Sequence, residues 1–194
     1  MRVQVGSASR AASGQVVCGD ACTVHVSATT TTLCVADGLG HGPEAHEAAL
    51  VACDYFRAHA EDPFESLLLR MDAVLARTRG AAVSLLSIEP AALRARFTSL
   101  GNVDLRAASR TRIAPPTTPG ILGRGVRRTR VWDYGVAPDD VLVLVTDGIK
   151  SRFDLDALAH LGPQDVADQL IANHHRAYDD ACCAVARVVD DGAR

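Results

Sequence analysis

The chain has 194 residues, of which 48% are hydrophobic and 22% are charged, and this composition fits one compact globular domain with a sizeable core. Its net charge of -3 argues against non-specific binding to nucleic acid or to an anionic membrane. No apolar run reaches the roughly 20 residues of a membrane span, and the N-terminus has no signal-peptide pattern. We therefore expect a single domain over residues 1–194, without a separate regulatory domain, in the cytoplasm.

The first half of the chain has the pattern of short strands followed by two amphipathic helices. Alternating or β-branched apolar residues predict strands over residues 2–5, 23–27 and 29–36. The small residues between positions 6 and 14 predict a loop. Apolar residues at helical spacing predict one helix over residues 43–59 and a second that begins at Pro63.

The middle of the chain returns to a strand pattern. Apolar runs predict strands over residues 81–88, 94–100 and 103–109. Gly101 and Asn102, between the last two strands, predict a hairpin turn. Residues 110–130 are rich in Pro, Gly and Arg, which predicts an irregular segment over the surface. Its arginines either form only a solvated face or offer a docking site for an acidic partner or a substrate phosphate.

The last third of the chain alternates strands and short helices. Strands are predicted over residues 131–134, 140–146 and 181–189, and helices over residues 153–160 and 163–174. The run of valines and leucines before Thr146 is almost unbroken, so this strand should be buried on both faces.

Three aspartates lie beside predicted buried strands: Asp37, Asp147 and Asp179. If those strands are neighbours, the carboxylates repel one another, and divalent cations would neutralise them. Oxygen ligands favour Mg²⁺ or Mn²⁺ over zinc. The alternative for Asp37 is a solvated side chain in a glycine-rich turn, since glycines follow it at positions 38, 40 and 42.

The six cysteines offer a second possible metal site. Most of them lie in apolar runs, where a reduced thiol behaves as a small buried hydrophobic group. Cys18, Cys22 and His25 have a spacing that could suggest zinc, but no second cysteine pair accompanies them. Reduced core cysteines are the simpler interpretation.

Four segments resemble, in order, the motifs of the metal-dependent type 2C (PPM) serine/threonine phosphatases: residues 18–20, 36–42, 145–149 and 179–185. Residues 100–103, 119–123 and 151–155 add similarity to the SpoIIE-like bacterial branch, and within it to the RsbX-like stand-alone phosphatases of the stressosome. The resemblance implies an α+β fold in which helices cover two central antiparallel sheets, a four-layer α-β-β-α sandwich with a metal site at one end.

The resemblance also implies roles for individual residues. Asp37 would bridge two ions, Mn²⁺ or Mg²⁺, and the Gly38 carbonyl would bind the first of them. Asp147 and Asp179 would bind the second ion, and Asp20 would hold a metal-bound water. Arg10 and His41 are candidates for substrate binding, although a histidine between glycines can equally be structural.

The activity that the resemblance implies is hydrolysis of phosphoserine or phosphothreonine in proteins by metal-activated water. The implied substrates are phosphorylated STAS-domain proteins of the stressosome, both scaffold and antagonist, whose dephosphorylation would reset stress signalling. Two alternatives stay open. The enzyme could act on a phosphorylated anti-anti-sigma factor, as SpoIIE- and RsbU-like relatives do, or the chain could be a catalytically inactive module that binds phosphoproteins.

Overall fold

The computed structural model describes residues 1–190. Nine strands are present: β1 (Arg2–Arg10), β2 (Asp20–Val26), β3 (Thr31–Gly38), β4 (Ala81–Glu89), β5 (Arg94–Leu100), β6 (Asp104–Ala108), β7 (Val131–Gly135), β8 (Val141–Val145) and β9 (Ala181–Val189). Four helices are present: α1 (Pro43–Ala58), α2 (Phe64–Leu75), α3 (Leu155–Leu158) and α4 (Pro163–His174). Within the described residues, no helix is both long and apolar enough to cross a bilayer.

The strands form two antiparallel sheets. The first sheet has the order β1-β9-β8-β6, and the second has the order β2-β3-β4-β5-β7. Strands close in sequence therefore do not all share a sheet, and the chain crosses between the sheets several times. The two sheets face each other, so a residue at the end of one can meet a residue at the end of the other.

Three apolar layers hold these elements together. The layer between the sheets contains alternate residues of the central strands, for example Leu33 and Val35 of β3 and Leu142 and Leu144 of β8. The intervening residues of β3 pack against α1 and α2, and those of β8 pack against α3 and α4. Both strands are thus buried on both faces, which accounts for their unbroken apolar runs. The predicted four-layer α-β-β-α sandwich is confirmed.

The N-terminal strand is longer than the sequence pattern predicts. The predicted loop begins at Gly6, whereas β1 continues to Arg10 and pairs with β9 along its whole length. The small residues are present because α4 lies across the strand: a Cβ on Gly6 would overlap the backbone of Gln164. The Gln164 side chain also accepts a hydrogen bond from the Ser7 N–H (3.1 Å) and donates one to the Ser7 carbonyl (2.9 Å).

The predicted hairpin at Gly101 and Asn102 is wrong. β5 pairs with β4 and β7, whereas β6 pairs with β8 in the other sheet. The two residues therefore connect the sheets. Gly101 has a φ of 101° and lies against Ala82, so the turn needs glycine, as a hairpin would. A turn dipeptide reports a local change of direction and does not determine which strand the chain pairs with next.

Two Asp-Gly pairs end central strands where backbones approach closely. A Cβ on Gly38 would overlap the Ala45 carbonyl of α1, and a Cβ on Gly148 would overlap the Asp180 carbonyl before β9. Neither glycine has a positive φ, so their role is close packing. They allow an acidic side chain to sit where two layers meet.

We predict that Gly148→Ala destabilises the fold, because the added methyl group cannot fit against the Asp180 backbone. The free energy of unfolding, measured by urea denaturation, should fall by about 1–3 kcal/mol. Gly135→Ala is the matched control, because a Cβ there meets no atom within 4 Å among the described residues. Equal stability losses in the two variants would contradict this explanation.

Candidate active site

Strands β2 and β3 bring two acidic side chains together at one end of the second sheet. Asp20 opens β2 and is the register partner of Asp37 near the end of β3. Gly38 continues that strand, and its N–H donates to the Gly19 carbonyl at 3.1 Å. Asp37 is thus fixed by backbone pairing on both sides, since it also pairs with Ala82 of β4.

The first sheet supplies the remaining carboxylates. Asp147 follows β8, and Asp179 and Asp180 precede the adjacent strand β9. The Thr146 N–H donates to the Cys182 carbonyl at 3.0 Å, so these two strand ends are tied together. The acidic residues predicted from the sequence therefore do converge, but across two facing sheets and not along one sheet edge.

Asn102 lies between the two groups of carboxylates. It belongs to the connection between β5 and β6, and its side-chain amide donates to Oδ2 of Asp147 at 2.6 Å. The same amide opposes the rise in the pKa of Asp37 described below. The connection that the sequence predicts as a hairpin thus delivers a polar group to the site.

The carboxylates repel one another strongly. Burial, together with the charges of Asp147 and Asp179, raises the pKa of Asp37 to about 7. Burial and the charge of Asp37 raise the pKa of Asp20 to about 8. Burial and the charge of Asp147 also raise the pKa of Asp179. A cation in this site would therefore lower the free energy of the ionised form substantially.

The donor set fits a hard divalent cation. Within residues 1–190, Oδ2 of Asp20 and Oδ2 of Asp180 are buried without a hydrogen-bond partner. In that same region, no three His, Cys, Asp or Glu side chains converge closely enough to chelate one ion alone. Backbone carbonyls and water would have to complete the coordination, as is usual for Mg²⁺, which keeps several of its waters.

Asp180 has a clear structural role beside the cluster. Its Oδ1 accepts a hydrogen bond from the Ala12 N–H at 2.9 Å, and its Oδ2 would lie 2.6 Å from a Cβ on Gly19. Asp180 thus ties the segment before β2 to the start of β9. Its charge also contributes to the raised pKa values of Asp20 and Asp37.

One arginine near the cluster was missed by the sequence analysis. The Arg176 N–H donates to the Gly148 carbonyl at 2.8 Å, and its guanidinium donates to the Tyr178 hydroxyl at 2.9 Å. The hydrogen bond to Tyr178 raises the pKa of Arg176, and the charges of Asp147 and Asp179 add smaller contributions in the same direction. No motif or periodicity marks this residue, since its position depends on the turn between α4 and β9.

The two candidate substrate-binding residues lie on the surface around the cluster. Arg10 is exposed at the end of β1, in a depression that it shares with His175 and Ala177. His41 is exposed between Gly40 and Gly42, both of which have positive φ. Their assignment to substrate binding stays a prediction.

A cavity of about 400 Å³ opens beside Asp37. Gly101, Asn102, Thr117 and the strip Pro119–Ile121 line it. Leu39 and Ala82 also line it, so most of its wall is apolar. The cavity can accept a side chain or a peptide segment next to the acidic cluster.

Solved structures share this fold. One is 29% identical, with a TM-score of 0.92 and coverage of 96% of this chain and 100% of that one. It comes from work on the bacterial stressosome as a modular system that has been adapted to control secondary messenger signaling. RsbX in complex with magnesium is 22% identical, with a TM-score of 0.85 and coverage of 96% and 95%. The catalytic domain of the phosphatase PstP with two manganese ions is 15% identical, with a TM-score of 0.67 and coverage of 97% and 99%.

The fold and the acidic site define a serine/threonine phosphatase of the PPM, or type 2C, class. A search of curated protein sequences finds no significant match to the chain. The chain belongs to the SpoIIE family, because the sequence profile of Stage II sporulation protein E (SpoIIE) matches residues 27–190.

We predict that metal stabilises the protein more at pH 8 than at pH 6. The pKa values of Asp20 and Asp37 are raised to about 8 and 7, so the metal-free folded chain binds more protons than the unfolded chain. Its free energy of unfolding therefore falls as the pH rises from about 4 to about 8. Bound Mn²⁺ would take the place of those protons.

The measurement is the thermal midpoint with Mn²⁺ and with chelator at both pH values. The gap between the two midpoints should widen by several degrees at pH 8. Asp37→Asn should flatten the pH dependence of the metal-free protein. A gap that is the same at both pH values would show that these carboxylates do not carry the effect.

Proposed function

We propose that this phosphatase is a cytoplasmic, RsbX-like enzyme that uses two Mn²⁺ or Mg²⁺ ions to dephosphorylate STAS-domain proteins of the stressosome. The observation that carries the proposal is the convergence of Asp20, Asp37, Asp147 and Asp179 from two facing sheets. The similarity over 96% of the chain to RsbX and to a protein from stressosome work supports the choice of substrate.

The proposed metal ligands are those that the resemblance to the PPM phosphatases implies, and the positions of the strand ends support them. Asp37 stands between Asp20 of its own sheet and Asp147 of the other, so it is suited to bridge two ions. The Gly38 carbonyl and a water held by Asp20 would complete one ion, and Asp147 and Asp179 would hold the second. When bound, the ions supply the Lewis acidity that activates water and neutralises charge on the phosphoryl group.

The protein groups around the ions have separate tasks. The Asn102 amide holds the carboxylate of Asp147 in place through its 2.6 Å hydrogen bond. Arg176 presents a guanidinium beside Asp147 and Asp179, and its backbone is fixed by a hydrogen bond to Gly148. A guanidinium suits the bidentate binding of a phosphate, so Arg176 is a stronger candidate than Arg10 for orienting the substrate.

Two other functions remain to be tested against this one. Dephosphorylation of an anti-anti-sigma factor would use the same chemistry on another phosphoprotein. Comparing the rates of dephosphorylation of the two kinds of substrate decides between them. A binding module without activity is less well supported, because it has no use for carboxylates whose burial and mutual repulsion raise the pKa values of Asp20 and Asp37 to about 8 and about 7.

We predict that the purified protein with Mn²⁺ removes phosphate from phosphorylated stressosome STAS-domain proteins faster than from a phosphorylated anti-anti-sigma factor. Chelator should abolish both reactions. Asp37→Asn, which keeps the shape but removes the charge of the bridging ligand, should lower kcat/KM by more than about 100-fold. Phosphate release in single-substrate assays measures both effects.

Asp165→Asn is the control, because this carboxylate is exposed on the first turn of α4 and belongs to none of the site motifs. Faster turnover of the anti-anti-sigma factor would favour the second candidate. An Asp37→Asn protein that folds and keeps its full biological effect would favour the binding module.

We also predict that Arg176→Ala raises KM for a phosphoprotein about tenfold, the loss expected for a charged hydrogen bond to phosphate. The Mn²⁺ concentration for half-maximal activity should not rise, because the substitution removes a positive charge near the ions. Arg176→Lys should restore part of the affinity, and Arg152→Ala, at an exposed arginine, should change little. A higher Mn²⁺ requirement in Arg176→Ala would instead indicate a role in shaping the metal site.

A further inference from the structure

Two arginines beside the active-site cavity have no acidic partner in the part of the chain that the structure describes. Arg127 and Arg128 are exposed, and neither forms an ion pair or side-chain hydrogen bond within residues 1–190. Many other arginines of the chain are paired with Asp or Glu: Arg57, Arg70, Arg79, Arg94, Arg96 and Arg106. The pair at 127 and 128 therefore leaves positive charge available on a protein whose net charge is -3.

The loop that carries these arginines is held firmly by its backbone. The carboxylate of Asp72, on α2, accepts hydrogen bonds from the backbone N–H groups of residues 123–126, at 2.6 to 3.3 Å. The Arg124 side chain donates to the carbonyls of Gly123 and Arg79, at 3.0 and 2.9 Å. Arg124 is thus used to hold the loop, whereas Arg127 and Arg128 follow the anchored turn and point to no internal partner.

The arginines line a depression that adjoins the active-site cavity. The depression has a volume of about 260 Å³ and includes Arg124, Arg127 and Arg128. Its other wall contains the strip Pro119–Ile121, which also lines the cavity of about 400 Å³ that holds Asp37. One apolar strip thus separates the acidic cluster from the arginines. A peptide can cross it with one residue at the cluster and nearby residues at the arginines.

We propose that Arg127 and Arg128 bind an acidic stretch of the phosphoprotein substrate, close in sequence to the phosphorylated residue. The inference rests on the proposed function, since it names the kind of segment that accompanies the phosphate. Guanidinium groups bind carboxylates in a bidentate manner, and exposed charges of this kind also speed the encounter of partners. The apolar strip would contact the residues between the phosphate and the acidic stretch.

The test uses Arg127→Glu/Arg128→Glu in the full chain, with Arg110→Glu/Arg112→Glu as the matched control. The control changes the same charge in the same irregular segment, at exposed positions that do not line either depression. Three kinds of substrate are compared with Mn²⁺ present: acidic phosphoserine peptides, with Asp and Glu placed before the phosphoserine in one and after it in another; their twins with Asn and Gln; and p-nitrophenyl phosphate.

For the wild type, KM should be lower for an acidic peptide than for its neutral twin, and salt should reduce the difference. The Arg127→Glu/Arg128→Glu variant should have a KM for the acidic peptide about fivefold to tenfold higher than the wild type, as expected for the loss of two exposed ion pairs. Its kcat should be unchanged. KM values for the neutral twin and for p-nitrophenyl phosphate should change less than twofold.

Several results would overturn the proposal. One is an equal rise in KM for the acidic peptide in the control variant. Another is a wild-type KM that is the same for the acidic peptides and their neutral twins. A third is an equal rise in KM for p-nitrophenyl phosphate in the Arg127→Glu/Arg128→Glu variant. Failure of the proposed function itself looks different, because the wild type would then turn over none of the three kinds of substrate. The small substrate thus separates loss of docking from loss of chemistry.

Discussion

The repulsion among the buried carboxylates is the constraint on which the rest of this structure depends. Asp20 and Asp37 belong to one sheet, and Asp147 and Asp179 flank strands of the other. Their burial and their mutual repulsion raise the pKa values of Asp20, Asp37 and Asp179, which means that the ionised cluster opposes folding. The apolar layers on both faces of β3 and β8 offset this cost, and β3, β8 and β9 are accordingly almost fully buried.

Close backbone packing keeps the cluster in place. Gly38 lies under the Ala45 carbonyl of α1, and Gly148 lies on the Asp180 carbonyl. In each Asp-Gly pair, the glycine packs against a neighbouring backbone, and this packing fixes the position of the aspartate before it. Gly38 directly follows Asp37 at the end of β3, where the proposed site uses its carbonyl as a ligand. Fold stability and the geometry of the candidate site depend on the same few atoms.

Much of this architecture could be predicted, because buried strands and amphipathic helices leave strong periodic patterns. The helix over residues 163–174 and the strand over residues 181–189 are predicted with their observed bounds. The sandwich itself came from motif resemblance, since periodicity gives elements and not their arrangement. The N-terminal strand was predicted too short because Gly6 and Ser7 have loop-like composition, and α4, which explains them, is distant in sequence.

The residues of the candidate site divide in the same way. Asp37 and Asp147 were found because each ends an apolar run and precedes glycine. The sequence pattern places Asn102 in a hairpin and does not mark Arg176 as a site residue, because both reach the cluster from connections between elements. Single polar residues in such connections carry no periodic signal, so only the folded chain reveals that they lie beside the carboxylates.

The irregular segment between β6 and β7 is anchored through its main chain. Leu122 is buried and exchanges two backbone hydrogen bonds with Ala81 at the start of β4, at 2.9 and 3.2 Å. Asp72 holds the following turn through backbone N–H groups alone. Because these contacts use main-chain atoms, the side chains of Arg127 and Arg128 are not needed for folding. If these arginines dock the substrate as proposed, substitutions there would change which phosphoprotein is bound without disturbing the acidic cluster.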